Sequence, residues 1–243
     1  MELFNLEVTR QYIGVLLHGL GITVMLTFIV ITLSGILAIP VAIARMSRAL
    51  LIRIPVDAYV EIIRSTPILL QLIYIFYVLP GLGIRLNAMT AAIIGLTLNY
   101  TAYMSEVYRG GIKAIRRGQW DAALALGMTR ALAFRRVILP QAIRMLTPVL
   151  GNYFISLFKD TAIASVVTVQ ELLFTGQIIS ARTYQYFPIY TLTGILYFSV
   201  GYPSALFVRY LEKVMSQGYS GRHKKRMSLA RFKFAILNRS RNA

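Results

Sequence analysis

Residues 11–44 read QYIGVLLHGLGITVMLTFIVITLSGILAIPVAIA, 34 positions without one Asp, Glu, Lys or Arg. A bilayer core about 30 Å thick is crossed by about 20 apolar helical residues, so this stretch is a membrane span with residues to spare. Working outward, 65–84 and 86–105 each supply 20 uncharged residues and 183–208 supplies 26. A fifth candidate, 137–158, contains Arg144, Pro140 and Pro148; a long cation near the end of a span can snorkel to the interface. A sixth, 161–181, carries Gln170 and Glu171 at its middle.

Composition agrees with a membrane protein. Of 243 residues, 57% are apolar and only 14% charged, against about 25% charged in ordinary soluble domains. That richness in apolar residues excludes a disordered chain. With no cysteine, disulfide frameworks, thiolate metal sites and cysteine nucleophiles are excluded as well.

The formal charge of +17 comes from 26 Lys+Arg against 9 Asp+Glu, and its placement sets the topology. With five spans, one side holds four cations in 45–64, seven in 105–136 and ten from Arg209 onward. The other side holds Arg10, Arg85, Lys159 and Arg182, and Arg144 lies within a span. Basic loops stay in the cytoplasm, which places the amino terminus outside and the carboxyl terminus inside. A sixth crossing would export the ten cations of the tail, so 161–181 reads as a partly inserted or external-side segment. The expectation is an all-α integral membrane protein with five transmembrane helices and a cytoplasmic helical loop between spans 3 and 4. Residues 1–221 form one transmembrane domain, followed by a flexible basic tail, 222–243.

The amino terminus carries Glu2 and Glu7 and lacks a basic n-region, so the first span reads as a permanent anchor and not a cleaved signal. The tail cluster Arg222, His223, Lys224, Lys225 and Arg226 reads as a juxtamembrane segment held by anionic lipid, and no nucleic-acid partner is expected. His18, alone inside the first span, reads as a packing residue.

The inner loop 106–136 is not linker-like. Gly118 and Gly127 bracket Gln119-Trp120-Asp121-Ala122-Ala123-Leu124-Ala125-Leu126. With Gly118 as N-cap, Asp121 is the third helical residue, where a carboxylate suits the positive dipole end. Gly127 suits the left-handed position that ends a helix, and Thr129 can cap a second one. Trp120, Leu124 and Gly127 lie at i, i+4 and i+7, giving an aromatic and an aliphatic knob on one face. Two readings fit: a helix packed on its own bundle, or one that docks a separate soluble subunit amid Arg109, Lys113, Arg116, Arg117, Arg130, Arg135 and Arg136. A DNA-reading helix-turn-helix does not fit, because both ends are tied to membrane spans.

Asp121-Ala122-Ala123, Gly127 and Val137-Ile138-Leu139-Pro140 resemble the EAA signature of bacterial ABC importer permeases, with Asp for Glu at 121 and Val for Ile at 137. Further stretches resemble the polar amino acid uptake branch, of the histidine/glutamine/arginine type: Glu61-Ile62-Ile63-Arg64-Ser65-Thr66-Pro67-Ile68-Leu69-Leu70-Gln71, Tyr108-Arg109-Gly110-Gly111-Ile112, Leu139-Pro140-Gln141-Ala142-Ile143-Arg144 and Lys159-Asp160-Thr161-Ala162. Ser65 stands where the family pattern more often has Gly. The resemblance covers about residues 15 to 215 and implies half of a transport pathway in the bacterial plasma (inner) membrane. It implies a second permease subunit, identical or closely related, two ATP-binding cassette ATPase subunits, an extracytoplasmic solute-binding protein and a polar amino acid substrate. It further implies that Trp120, Asp121, Ala122, Ala123, Leu124 and Gly127 couple the chain to the ATPase. The alternative from another class is an ATPase-independent channel or ion-coupled carrier.

Polar groups in spans are costly and usually face inward. Asn99, Tyr103 and Glu106 recur at i, i+4 and i+7 on one helical face, with Asn99 about 15 Å above Arg109 at 1.5 Å per residue. With Asp160 and Glu171 they are the candidate substrate-pathway residues, suited to an ammonium or the polar end of an amino acid. Interhelical hydrogen bonding is the competing reading for Asn99 and Glu171. Tyr100, Tyr103 and Tyr153 read individually as packing or interfacial residues. Pro67 and Pro148 are candidate helix breaks that free carbonyls.

The chain has no phosphate-cradling Gly-x-x-x-x-Gly-Lys-Ser/Thr loop, no His-x-x-x-His pair and no Gly-x-Ser-x-Gly elbow. It therefore reads as a transport subunit without catalytic residues, cofactor or metal, its ATP hydrolysis residing in a partner.

Overall fold

The computed structural model describes the backbone of residues 6–239 and the side chains of residues 10–215. All regular structure among them is helical: α1 (Leu6–Arg45), α2 (Leu50–Ser65), α3 (Ile68–Ile73), α4 (Ala88–Lys113), α5 (Arg117–Ala125), α6 (Arg130–Ala133), α7 (Leu139–Asp160), α8 (Leu172–Thr183) and α9 (Tyr186–Arg239). The side chains of the 222–243 tail lie outside the described residues.

Two helices are individually long and apolar enough to cross a membrane, over Arg10–Arg45 and Tyr186–Met215. Each presents a lipid-suited girdle: Phe28, Ile36 and Ile43 on α1 and Phe198 and Phe207 on α9 are all exposed. Two further candidates are bent pairs, Leu50–Ser65 with Ile68–Leu82 at 107° and Arg130–Val167 with Leu172–Thr183 at 50°. Between them α4, with 26 residues, is about 39 Å long.

The second apolar stretch is therefore not one straight span from residue 65. Thr66 and Pro67 are both extended, with ψ of 144° and 135°. A residue before proline is pushed out of the α region, which stops α2 there. α3 then continues through a π turn, Tyr74–Val78, and a 3-10 turn, Leu79–Leu82. The 45–64 segment, read from sequence as a loop, is largely the amphipathic helix α2. Leu51, Ile54 and Ile62 are exposed, and Asp57 and Glu61, on the stripe that includes Ile54, reach Arg45 of α1. Pro148 does not break a helix; it sits inside α7. His18 is exposed on α1 rather than packed within the chain.

The central core joins α1, α3, α4 and α7 through Leu26, Val30, Leu72, Leu96 and Leu157. After α7 the chain makes a 3-10 turn (Thr161–Val167), passes Thr168 at φ 65° and enters α8. The 12 residues of α8 span about 18 Å, short of a bilayer core. α8 packs between α1 and α9 around Leu16, Leu172, Ile179 and Ile189. The approach to α1 is close: a Cβ on Gly19 would lie 2.8 Å from Thr175 Oγ1 and 3.1 Å from Leu172 Cα. Small residues at such crossings let backbones meet.

Candidate functional site

The break between α2 and α3 forms one wall of a cavity of about 610 Å³. Residues 64–68 supply that wall, α4 supplies Asn99, Tyr100 and Tyr103, and α7 supplies Tyr153, Ser156 and Asp160. The α7 set recurs at i, i+3 and i+7, one helical face. Such a volume suits a small organic ligand.

The cavity wall carries both signs of charge. The Arg64 guanidinium carbon lies 5.5 Å from the Tyr103 ring centroid, within cation–π range, and Arg64 makes no ion pair among the described residues. Asp160 accepts a 2.7 Å hydrogen bond from the Tyr100 hydroxyl through Oδ2. The ring of Tyr153 meets that of Tyr100 edge-on, centroids 6.2 Å apart. Tyr100, Tyr103 and Tyr153, read individually as packing residues, thus line the cavity. Arg64 reads from the sequence as one more loop cation; in the structure it ends α2 beside the Thr66–Pro67 break and lines the cavity.

Of the sequence-derived pathway residues, the cavity brings together Asn99, Tyr103 and Asp160. Glu106 lies elsewhere. Seven residues of helix carry it about 10.5 Å farther along α4 than Asn99, into an ion-pair cluster toward the carboxyl end of α4. There Arg45, its side chain only 8% exposed, meets Glu106 at 2.6 Å and Asp57 at 2.7 Å, with Glu61 at 3.7 Å. Arg109 chelates Glu106 from the next turn. That hydrogen bond, followed by the Arg109 and Arg45 charges, holds the Glu106 carboxyl below its ordinary value although burial opposes it.

Glu171 is also absent from the cavity. It is 0% exposed and caps α8, accepting the N–H groups of Leu173 at 3.0 Å and Phe174 at 2.7 Å. The Tyr197 hydroxyl donates to it at 2.7 Å and the Thr23 hydroxyl at 3.4 Å, so its carboxylate is fully engaged in joining α1, α8 and α9.

The 106–136 loop differs from expectation at its start. α5 begins at Arg117 with Arg116 as cap, not at Gly118, which makes Asp121 the fifth helical residue and removes it from the first turn where the dipole acts. Its end follows the expected pattern: Gly127 has φ 79°, and Thr129 Oγ1 accepts the Leu132 N–H at 3.3 Å. Trp120 is turned inward, against the knob reading. It stacks on Phe134 at 6.3 Å, in a cluster with Ile115, Ile138, Ala142 and Leu146. Ala123 is buried too, whereas Asp121, Ala122, Leu124 and Leu126 are exposed, Leu126 by 80%. Gln141 Nε2 bridges Gln119 Oε1 at 3.2 Å and the Val137 carbonyl at 2.8 Å, tying α5 to α7.

A bundle of apolar helices beside an open cavity of charged, polar and tyrosine side chains is the architecture expected of a membrane transport component. The chain belongs to the family described as binding-protein-dependent transport system inner membrane component, whose model matches residues 31–217. It is 35% identical to the probable amino-acid ABC transporter permease protein YckA of Bacillus subtilis (strain 168), covering 87% of this chain and 93% of that protein. It is 38% identical to the L-cystine transport system permease protein TcyB of the same organism, over 85% and 88%. A chain in the crystal structure of an amino acid ABC transporter with histidines matches with TM-score 0.82 and 36% identity, over 86% of this chain and 98% of that one. A chain of the inward-facing MetNI methionine ABC transporter shares the fold at TM-score 0.65 and 21% identity, over 83% and 98%.

Proposed function

We propose that this chain forms half of the translocation pathway of an ATP-driven importer for polar amino acids. It crosses the membrane five times, with its amino terminus outside, its carboxyl terminus in the cytoplasm and 161–181 on the external side. The cavity carries the reading: a guanidinium from the α2–α3 break and a carboxylate from α7 match the carboxylate and ammonium that every α-amino acid presents. Arg64 takes the carboxylate, and Asp160 with Asn99 takes the ammonium. The tyrosine rings of Tyr100, Tyr103 and Tyr153 cover the remainder. The amino-acid transport named for YckA, TcyB and the histidine-containing transporter supports that substrate class.

A separate ATPase docks on the exposed side of α5–α6, on Asp121, Ala122, Leu124 and Leu126, and Trp120 and Ala123 seat that helix from behind. A second permease subunit, identical or closely related, completes the pathway, and an external solute-binding protein delivers the substrate. The test is capture of the ATPase by the chain, alongside ATP-dependent uptake of radiolabelled amino acids by the assembled complex. Replacement of residues 118–128 by a Gly/Ser linker abolishes both. Uptake by vesicles holding the chain alone under an ion gradient would instead favour a carrier.

A further inference from the structure

The α2–α3 bend leaves backbone groups to satisfy inside an apolar bundle, where an unpaired carbonyl is costly. In a continuous helix the Ile63 carbonyl would accept from residue 67, which is proline and has no N–H. Gln71 Nε2 fills that place, donating to the Ile63 carbonyl at 2.8 Å. The same nitrogen reaches the Thr66 carbonyl at 3.1 Å and Thr66 Oγ1 at 2.8 Å. Thr66 Oγ1 in turn donates to the Ile62 carbonyl at 2.9 Å. On its other side Gln71 Oε1 accepts from Asn99 Nδ2 at 3.0 Å.

The polarity of this chain of bonds is forced. Backbone carbonyls only accept, so Gln71 must turn its NH₂ toward Ile63 and Thr66 and its oxygen toward Asn99. Asn99 must then present its own NH₂ to Gln71. Its Oδ1 accepts no hydrogen bond among the described residues. Neither is it one of the sealed polar atoms without a partner, so it opens to the cavity that Asn99 lines.

We infer that Gln71, which does not itself line the cavity, is its positioning residue: it holds the α2–α3 bend in place of the missing proline N–H and orients Asn99 so that an acceptor oxygen faces the ligand. The identity of that ligand as an amino acid rests on the function proposed above; the bond chain does not.

The experiment uses the permease–ATPase complex in nanodiscs, without binding protein, and radiolabelled L-glutamine as probe. Gln71→Met lowers affinity about tenfold, the loss of one hydrogen bond to a charged group, and Asn99→Leu lowers it at least as much. Because Gln71 acts through Asn99, the double variant is no weaker than Asn99→Leu alone. Gln71→Glu keeps length and acceptor but cannot donate to Ile63, and serves where the methionine variant fails to assemble. An affinity within twofold of wild type for either Gln71 variant, or multiplicative losses in the double variant, overturns the inference. Hydrogen exchange in the same samples reads the bend without substrate: amides of residues 71–74, the first of α3 with helical acceptors, lose protection in the Gln71 variants, and unchanged protection overturns the inference. If the wild type binds no L-glutamine while those amides still lose protection, the amino-acid reading is at fault and the role of Gln71 stands.

Discussion

The Tyr100 hydroxyl and Asp160 Oδ2 are joined by a 2.7 Å hydrogen bond that links α4 to the end of α7 inside the cavity. One carboxylate oxygen is thereby committed. Oδ1 accepts nothing from the described residues, so Asp160 is pinned in orientation with half of its acceptor capacity still available.

Asp160→Asn should accordingly weaken amino acid binding by about 10- to 100-fold, the range for a hydrogen bond between charged groups. Tyr100→Phe removes only the restraint and should cost a few-fold. Equilibrium binding to the assembled complex distinguishes the two, and equal losses would contradict this division of roles.

Glu171 predicts the opposite pattern, a loss of stability without a loss of affinity. Glu171→Ala strands two α8 N–H groups and the Tyr197 hydroxyl, at a cost of about 2–4 kcal/mol. Thermal unfolding in detergent should show a lower midpoint. Substrate affinity in the surviving complex should stay near wild type; a selective loss of affinity would place Glu171 back among the substrate contacts.

Glu106 supplies a pH dependence. Its folded carboxyl titrates below its ordinary value, mainly because of the Arg109 hydrogen bond. The stabilisation is therefore fully present above the unfolded value of about 4.5 and is lost as pH falls through the lower, folded value. Acid unfolding curves of the wild type should show this extra destabilisation below about pH 4.5, and Glu106→Gln should lack it. Identical acid limbs would remove the ion-pair cluster from the account.

On the proposed docking surface of α5–α6, Leu126→Asp should abolish ATPase capture, since that side chain is 80% exposed next to the helix end. Trp120→Phe should retain capture, because its ring faces Phe134 and not the partner. Gly127→Ala should destabilise the loop by about 1 kcal/mol, having to adopt φ 79° with a Cβ. A pull-down with the purified ATPase reads the first two, and capture by the Leu126 variant would move the docking surface elsewhere.

Local rules carried far along this chain. Runs of uncharged residues marked α1, α4 and α9, Thr129 announced its own cap, and Gly127 announced the left-handed turn. The i, i+4 spacing put Asn99 and Tyr103 on a shared face, and Pro67 marked a break. What stayed hidden depends on partners distant in sequence. Glu106 shares its face with Asn99, but Arg45, 61 positions earlier, meets it below the cavity. Glu171 is engaged by Thr23 and Tyr197 from two other helices. The inward turn of Trp120 follows from Phe134 across the glycine turn. Arg64 lines a cavity whose other walls come from α4 and α7, more than 30 positions away.

The Trp120–Phe134 stack and the Gln119–Gln141 bond lean α5 against the root of α7. The 22 residues of α7 extend about 33 Å, with Asp160 at the far tip. By simple trigonometry, a rigid tilt of about 5° at the root of α7 sweeps that carboxylate sideways by about 3 Å, roughly the length of a hydrogen bond. Leu157 and Phe158 are buried at that same tip, so such a tilt carries packed neighbours with it and is geometrically sufficient to make or break a grip on cargo about one bilayer core away.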